Sequence, residues 1–419
     1  MHRNKNPNKS PMTLEFQKEL FESARRKKIS LNETLNKYGY SFDNLIYEES
    51  HKKEWFGPKP KILFDYKSES KDIPFVSFFT GCGGIDLGFE AVGYKHVAAF
   101  EFNELFCKTL RKNRPKWKVF GPPTHSGDVS NVSETIESLK KIIPVNFEGI
   151  FVGGPPCQPF SIASNQRFSK SGDNFKRIGF EHKKNGSLLF DYVNVIKYFK
   201  PTCFLIENVP GLRDLDGGSQ LSTALRELVK FGYSIDEPLL LNAADYGVPQ
   251  FRERLFVVGS RNGNFPIYPK PSEMHFGAGS VLTRNQGSVK NTETRVHKLN
   301  SIQRYYKLGY GQRDKLGRVD RLDPCIPSKT VIAGGTNGGG RSHLHPEIPR
   351  TLSVRECARL QTFPDNYVFV GSTARQFTQV GNAVPPVLAA QIALAIASSV
   401  FHKKEIVSCT KAILEPAVT

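Results

Sequence analysis

The chain has 419 residues, 39% of them hydrophobic, which is enough for one large domain with insertions or for two domains. Its 58 Lys and Arg against 40 Asp and Glu give a formal charge of +18, which favours a polyanionic partner such as nucleic acid. The N-terminus lacks a signal-peptide core, no run approaches the roughly 20 apolar residues of a membrane span, and the seven cysteines form no CxxC pair, so we expect a cytoplasmic protein without membrane, disulfide framework or zinc site.

The first 72 residues are polar and rich in Lys, Asn and Ser. Helices are predicted from Leu14 to about Lys27 and from Leu31 to Tyr38. Two short helices in succession allow a small helix-turn-helix, but the pattern has no firm apolar stripe. We therefore interpret residues 1–72 as a polar N-terminal extension.

From Ile73 onward, apolar runs of strand length alternate with helical segments such as 103–112 and 187–199. The runs are IPFVSFF, KHVAAFEF, GIFVGG, TCFLIEN and RLFVVG. Such runs are typical of strands that are buried on both faces of a sheet. The prediction is an α/β domain over residues 73–260 with a doubly wound, mostly parallel sheet.

Beyond Gly259 the regularity ends, and a loop-rich second domain is predicted over residues 261–380. Residues 260–350 hold fifteen Lys and Arg against six Asp and Glu, a net charge of +9 and half of the whole excess. Residues 384–403 read as an apolar helix opened by prolines. We expect this helix to return and complete the first domain.

The stretch FFTGCGGIDLGFE at residues 78–90 predicts a strand, a glycine turn and a helix. Glu101 ends the next strand, 20 residues after Gly81, which is the spacing expected for a carboxylate that holds ribose hydroxyls. The turn alone is equally compatible with a purely structural role. Because it offers few donors for a pyrophosphate, the pair favours an adenosyl group over a dinucleotide.

Asp128, in HSGDVS, lies where a third strand would end. Its carboxylate could accept a hydrogen bond from an adenine amino group. The alternative, which the residues themselves favour, is an N-cap for the helix that follows.

Cys157 lies in GGPPCQPFS, directly after a predicted strand and among prolines that stiffen the loop. A lone cysteine is usually a small buried apolar residue. Here its setting, followed by a polar stretch with four basic residues up to Arg177, favours an exposed and directed thiolate. We expect residues 161–179 to move.

Two further strand ends carry polar groups. Glu207 follows the apolar run of TCFLIEN, where burial can keep a carboxyl group protonated for general acid catalysis, unless it only caps the next turn. Arg252 and Arg254 in QFRER share one face of a strand by their spacing, although such residues are often merely exposed to solvent.

Taken in order, these motifs resemble the series found in bacterial cytosine-5 DNA methyltransferases. They are FFTGCGG, Glu101, GDV, GGPPCQPFS, IENV, QFRER, RECARLQTFPD and QVGNAVPP, and they cover about residues 75 to 400. The resemblance implies S-adenosylmethionine as cofactor, duplex DNA as partner, and a smaller target-recognition domain.

The resemblance also implies roles for single residues. Cys157 would be the nucleophile that adds to C6 of an extruded cytosine, Glu207 would meet N3 and the amine, Arg254 would meet O2, and Arg252 would support the site. No metal is implied. The implied cofactor contacts are Phe79, Gly81, Gly83, Gly84, Glu101, Asp128, Pro155, Leu188 and Asn382, of which Leu188 lies where Asn185 departs from the Arg-containing turn of many relatives.

For the DNA, the polar loop after Cys157 would close over the duplex and the basic segment would contact phosphates and base edges. The candidate contacts are Gln158, Ser161, Lys329, Thr330 and Arg341, each of which could also be an ordinary solvated side chain. RECARLQTFP is predicted to be a helix that organises the recognition domain, and His343 and His345 are interpreted as structural or phosphate-facing.

Two rival functions are weighed, the first within the same enzyme class and the second in a different class. One is methylation of cytosine in tRNA, which relatives of this motif type can perform, although the long basic segment favours a domain that reads a DNA groove. The other is a DNA-binding regulator with an inactive catalytic domain, which predicts the loss of Cys157, Glu207 or Arg254, and none is lost. We expect a monomer on DNA, associated with the nucleoid, that protects one short site in a restriction-modification system.

Overall fold

The structure, a computed structural model, describes residues 10–49, 51–66, 72–156, 188–214, 218–284, 289–333 and 343–401. The chain divides into two compact units, each assembled from three chain segments. The larger, which we call the sheet unit, comprises Ile62–Tyr246, Arg252–Glu273 and Val384–Thr419. The smaller, which we call the mixed unit, comprises Met1–Lys61, Gly247–Phe251 and Met274–Ala383.

The sheet unit contains an eight-stranded sheet in the order β3-β2-β1-β4-β5-β8-β6, with β7 also paired to β8. Its strands are β1 (Pro74–Phe78), β2 (Lys95–Phe100), β3 (Val119–Phe120), β4 (Ile150–Gly153), β5 (Cys203–Asn208), β6 (Ser234–Ile235), β7 (Leu239–Asn242) and β8 (Glu253–Ser260). The first five are parallel, and β8 runs antiparallel to β5, β6 and β7. The predicted α/β class with a mostly parallel, doubly wound sheet is confirmed.

Twelve α-helices lie within the described residues, and the mixed unit adds a three-stranded sheet. The helices are α1 (Leu14–Lys27), α2 (Leu31–Lys37), α3 (Gly84–Ala91), α4 (Glu104–Asn113), α5 (Val132–Lys140), α6 (188–199), α7 (Gly211–Asp214), α8 (Ser219–Lys230), α9 (Leu299–Tyr305), α10 (Val354–Leu360), α11 (Thr373–Asn382) and α12 (Pro386–Ile396). The short strands are β9 (Arg313–Asp314), β10 (Val319–Arg321) and β11 (His343–Leu344).

The five apolar runs of the sequence all form strands, because each central strand is covered on both faces. All four residues of β4 are buried, and so are five of the six in β5. The side chains between sheet and helices form one core that includes Phe78, Phe100 and Tyr192. Continuous burial explains why these strands show no alternation of polar and apolar residues.

The helix α12 returns to the sheet unit, as predicted, and packs against α3. Gly88 of α3 lies at the contact, where a Cβ atom would come within 2.6 Å of the Ala389 Cβ. The Tyr94 hydroxyl donates to the carbonyl of Ala393 at 2.9 Å. The two helices therefore approach more closely than any side chain at position 88 would allow.

Residues 10–61 do not form a separate extension as the sequence analysis proposed, because they are part of the mixed unit. The buried side of α1 is Gln17, Leu20, Phe21 and Ala24, a helical stripe that a glutamine interrupts. The amide of Gln17 is satisfied by the backbone of Ile46, donating at 2.9 Å and accepting at 2.8 Å. This stripe packs in one core with α9, β10 and β11.

A buried ionic network joins the N-terminal segment to the rest of the mixed unit. The guanidinium of Arg350 donates twice to the Glu356 carboxylate, at 2.9 Å each, and once to Asp43 at 2.6 Å. Arg350 and Glu356 are fully buried, and Arg350 and its hydrogen bonds lower the pKa of Glu356 to about 2, against the effect of burial. Glu356 also accepts from the backbone of Ser353, the N-cap of α10.

The motif RECARLQTFP contributes most of the predicted helix α10. Within it, the side chain of Arg355 connects the helix to neighbouring loops. Arg355 is buried and donates to the backbone carbonyls of Lys290, Pro364 and Tyr367. Two loops of the mixed unit, one at Lys290 and one from Pro364 to Tyr367, are thereby held to one side chain.

Within the described residues, one helical stretch, Thr373–Phe401, is long and apolar enough to cross a membrane by length and composition, and 72% of its apolar window is buried inside the protein. Ala383 and Pro385 are not helical and divide it into α11 and α12. A mostly buried, interrupted stretch of this kind is typical of a core helix.

Candidate active site

The sheet order places β1 and β4 side by side, while the chain continues from β1 towards β2 on one side and from β4 towards β5 on the other. In doubly wound sheets, ligands bind at the carboxyl ends of the strands at such a switch point. The glycine turn follows β1 and the segment leading to Cys157 follows β4. Both motifs therefore begin at the same edge.

The turn between β1 and α3 has three residues in the left-handed region, Phe79 (φ 54°), Gly81 (φ 61°) and Gly83 (φ 82°). A Cβ atom built on Gly81 would have no described atom within 4 Å. One side of the turn is thus open, and a ligand could approach its backbone there.

A buried polar network under the turn was not recognised in the sequence. The carboxylate of Asp86 in α3 accepts from the Ser77 hydroxyl at 3.0 Å and lies 3.1 Å from Nε2 of His96. The Ser77 hydroxyl is also 2.9 Å from that of Thr80, whose backbone N–H donates to the carbonyl of Phe100. These contacts fix the turn to β1, β2 and α3.

Glu101 lies directly after β2 and is held by the glycine turn itself. Its Oε2 accepts from the backbone N–H of Gly81 and its Oε1 from that of Asn103, both at 2.7 Å. The side chain is almost fully buried, and burial raises the pKa of its carboxyl group to about 7, although the two N–H groups act in the opposite direction. Each oxygen can still accept a further hydrogen bond, for example from a hydroxyl group.

The next residue, Phe102, is 63% exposed although Glu101 before it is buried. A ring beside the Glu101 carboxylate could stack on a flat ring of a ligand. Phe102 was not predicted as a site residue because it ends the apolar run KHVAAFEF, which reads as one continuous strand. Its position after the strand's last acidic residue was the available signal.

Asp128 is not an N-cap, which was one of its two interpretations. Its Oδ1 accepts from the backbone N–H and the hydroxyl of Ser130, at 3.0 and 2.7 Å. The N-cap of α5 is Asn131, whose side chain accepts from the N–H of Glu134. A contact between Asp128 and an adenine amino group stays a prediction.

Glu207 is the penultimate residue of β5 and lies beside the segment that leads to Cys157. A Cβ atom at Gly154 would lie 2.8 Å from Oε2 of Glu207, so only glycine leaves room for this carboxylate. The amide of Asn208 donates to the carbonyl of the buried Pro155 at 2.8 Å. The last residues of β5 therefore hold the chain within two residues of the cysteine, which itself is outside the described residues.

Arg254 pairs with Glu207, its Nε lying 3.1 Å from Oε1, and each side chain is 13% exposed. Arg252 is 1% exposed, and Glu253 between them is exposed. The period of two is confirmed, and the alternative that both arginines face solvent is wrong. Burial raises the pKa of Glu207, and the charges of Arg254 and then Arg252 act against that rise.

The other predicted contacts are spread over both units. Leu188 is partly buried at the first described residue of α6, and Gly84 begins α3. Lys329 is exposed and lies 3.3 Å from Asp320, while the Thr330 hydroxyl donates to the carbonyl of Phe251 at 2.7 Å. Gln158, Ser161, Arg341 and the mobile stretch expected at 161–179 lie outside the described residues.

Asn382 is exposed at the end of α11, in the mixed unit. His343 and His345 are fully buried there, and burial lowers the pKa of each to about 4. The interpretation of the histidines as structural is therefore supported over phosphate-facing.

A family model described as C-5 cytosine-specific DNA methylase matches residues 73–398. The chain is 33% identical over 359 residues to the Type II methyltransferase M.PspPI of Psychrobacter sp. (strain TA137), covering 78% of this chain and 79% of that protein. It is 33% identical over 392 residues to the Type II methyltransferase M.Eco47II of Escherichia coli, covering 84% and 86%. The solved Entamoeba histolytica methyltransferase EhMeth has the same fold, with a TM-score of 0.57 at 19% identity over 80% of this chain and 100% of that one.

The sheet topology and the motifs at its edge define a methyltransferase. With the family match over most of its length, the chain belongs to the C-5 cytosine-specific DNA methylases and is a DNA (cytosine-5-)-methyltransferase. The identification made from the sequence motifs is confirmed.

Proposed function

We propose that this enzyme transfers a methyl group from S-adenosylmethionine to C5 of a cytosine extruded from a specific duplex site, through a covalent bond between Cys157 and C6. The observation that carries the proposal is the buried pair of Glu207 and Arg254, at the strand edge where the chain leads into Cys157. A carboxyl group and a guanidinium together match the N3, amine and O2 edge of cytosine.

The residues around the glycine turn fit an adenosyl group. Glu101 can accept from ribose hydroxyls, Phe102 can cover one face of adenine, and Asp128 can accept from the adenine amino group. When bound, S-adenosylmethionine supplies an electrophilic methyl group. The further contacts proposed for it are Phe79, Gly81, Gly83, Gly84, Pro155, Leu188 and Asn382.

Glu207 and Cys157 together would overcome the weak nucleophilicity of cytosine C5. The thiolate of Cys157 adds to C6 while Glu207 donates a proton to N3, which turns the ring into an enamine that is nucleophilic at C5. Arg254 holds O2, and Arg252 supports Arg254 from the adjacent position. After C5 has taken up the methyl group, loss of the C5 proton to a base expels Cys157 as thiolate, and return of the N3 proton to Glu207 restores the ring.

The basic mixed unit would bind the DNA. Phosphate contacts supply affinity and a few side chains read base edges, with Lys329, Thr330 and Arg341 as candidates and Gln158 and Ser161 on the loop that follows Cys157. We also infer a cytoplasmic, nucleoid-associated monomer that protects one short site, of roughly 4 to 6 base pairs. The similarity to proteins named Type II methyltransferases supports a role beside a restriction enzyme.

Transfer of labelled methyl groups to duplex DNA and to tRNA tests the proposal directly. We expect labelled DNA and unlabelled tRNA, and bisulfite sequencing of DNA from expressing cells identifies the site. Cys157→Ser should abolish transfer, and Glu207→Gln should lower kcat by about 10²- to 10⁴-fold, whereas the control Glu237→Gln, at an exposed position, should not. Full activity of Cys157→Ser would refute the covalent mechanism, and labelling of tRNA alone would refute the substrate.

A further inference from the structure

The segment from His51 to Lys61, which we call the strap, ends the N-terminal part of the mixed unit. Its sequence, HKKEWFGPKPK, has four lysines, one glutamate and two adjacent aromatic residues. The family match begins only at residue 73, so no motif discussed above accounts for it.

The strap is anchored at two points on the mixed unit. The side chain of Trp55 lies over Gly277 and Gly279, where an added Cβ atom would come within 2.8 Å of the indole Cε3 and 3.1 Å of the Trp55 Cβ, respectively. Nearby, Lys53 pairs with Asp323 at 2.7 Å. Glycines at both contact positions let the indole lie directly on the backbone, so the strap is held by packing as well as by charge.

The residues after Trp55 form a tight turn that points the next aromatic ring outwards. The indole N–H donates to the carbonyl of Pro58 at 2.9 Å, and a Cβ atom at Gly57 would overlap the indole. Phe56, at the tip of this turn, is 88% exposed, the largest exposure among the large hydrophobic side chains of the described residues. The ring is therefore presented by a fixed turn.

Single exposed hydrophobic residues are common on protein surfaces. Phe56 differs because its turn is anchored and because the exposed lysines 52 and 59 flank it, with Glu54 as the only acidic residue of the strap. A fixed apolar ring between cations matches the surface of a nucleic acid, where phosphates alternate with sugars and base edges.

We propose that the strap is a DNA-binding element, in which Lys52 and Lys59 bind phosphates and Phe56 packs against the sugar and base surface of the duplex. The proposal rests on the proposed function only in taking duplex DNA as the partner. It assigns a role to the N-terminal segment that is separate from the recognition of bases by Lys329 and its neighbours.

The strap proposal is tested by equilibrium binding of the full chain to a long duplex that carries the enzyme's target site. The binding is measured at several salt concentrations. Phe56→Ala should weaken binding about tenfold, because the apolar contact of the ring with the duplex is lost, and Phe56→Trp should restore it. Lys52→Gln/Lys59→Gln should reduce the slope of log K against log salt by about 2. The matched controls are Ile267→Ala, at a side chain 61% exposed in the sheet unit, and Lys112→Gln/Lys116→Gln, at exposed positions of the same unit.

The kcat at saturating DNA should be the same in all these variants, and thermal unfolding confirms that each is folded. If the wild type methylates DNA but the strap variants bind it like the wild type, or no more weakly than the controls, the strap proposal is refuted while the proposed function stands. If the wild type binds DNA without methylating it, and Phe56→Ala binds DNA more weakly than the wild type, the proposed function is refuted and the strap proposal stands.

Discussion

The Nε atom of Arg254 lies 3.1 Å from Oε1 of Glu207, at the ends of two adjacent antiparallel strands. The contact opposes the effect of burial on the carboxyl group, because a nearby cation favours the carboxylate while desolvation favours the neutral acid. Burial is the larger effect, and the pKa of Glu207 is raised. The charge of Arg254 thereby limits how far burial raises the pKa of Glu207.

Replacing Arg254 should therefore change the pH dependence as well as the rate. As a general acid, Glu207 is active while protonated, so kcat falls as the pH rises through its pKa. Arg254→Met removes the cation, raises that pKa further and moves the alkaline limb of the kcat profile to higher pH, together with a lower kcat from the lost contact to O2. The measurement is kcat against pH, with the exposed Arg213→Met as control; a limb that stays in place would contradict the coupling.

Glu101 should make cofactor binding depend on pH in the opposite sense. The carboxylate form of Glu101 accepts hydrogen bonds from hydroxyl groups. Because burial raises the pKa of Glu101 to about 7, this carboxyl group is mostly protonated below that pH in the protein without cofactor. The affinity for S-adenosylmethionine should rise with pH through about 7. Glu101→Gln should bind more weakly and flatten this dependence, whereas the exposed Glu104→Gln should behave as wild type in calorimetric titrations. A pH-dependent affinity that survives in Glu101→Gln would assign the effect to another group.

Folding itself should respond to Glu101 in a defined direction. Because its pKa is raised in the folded state, its contribution to stability is fully present below the unfolded value and is lost as the pH rises through about 7. The same substitution should therefore gain stability relative to wild type above that pH, a comparison that denaturant titrations at two pH values would make.

Gly88 should not tolerate even one methyl group. In Gly88→Ala the new Cβ would meet the backbone of Ala390 and the Cβ of Ala389 at 2.6 Å, so α12 must shift away from α3. We expect a loss of about 1 to 3 kcal/mol in the free energy of unfolding. The control Gly309→Ala meets only the flexible side chain of Gln312, at 3.2 Å, and should unfold like the wild type; equal effects of the two substitutions would contradict the packing argument.

The buried Arg350 should be required for stability because it neutralises the buried charge of Glu356. Arg350→Leu leaves Glu356 buried without its cation and should cost about 3 to 5 kcal/mol. The double variant Arg350→Leu/Glu356→Leu removes both charges and should recover part of that loss. In the wild type, the lowered pKa of Glu356 means that its stabilisation is present above about 4.5 and is lost as the pH falls towards 2. Chemical denaturation measures all three; a double variant less stable than the single one would refute the account.

The parts of the site that follow long buried strands could be predicted from the sequence. Glu101 and Glu207 each interrupt an apolar run at its end, and a parallel sheet brings such ends to one edge. The two arginines could be placed on one face because a strand has a period of two. Their burial could not, since it depends on the long-range pairing of β8 with β5, which brings Arg254 within 3.1 Å of Glu207.

What the sequence did not reveal depends on partners distant along the chain. The stripe of α1 contains a glutamine whose amide is satisfied only by residue 46, so it did not read as an apolar face. Asp128 is of a residue type that often serves as an N-cap. Its Oδ1 instead accepts a hydrogen bond from the backbone N–H of Ser130, and Asn131 caps the helix. In both cases a polar side chain forms hydrogen bonds with residues that its local sequence pattern does not identify.

The shared core of α1, α9 and β11 also determines when α1 can complete its packing during translation. The apolar side of α1 leaves the ribosome early, yet its packing partners at Ile302 and Leu344 are translated about three hundred residues later. Until then, Leu20 and Phe21 of the nascent helix can be covered only by nearby residues of this core, such as Leu31 and Leu35, while the first strands of the sheet unit are made. Its charged opposite face, and any factor that shields the helix during this interval, would decide how much of the newly made chain escapes aggregation.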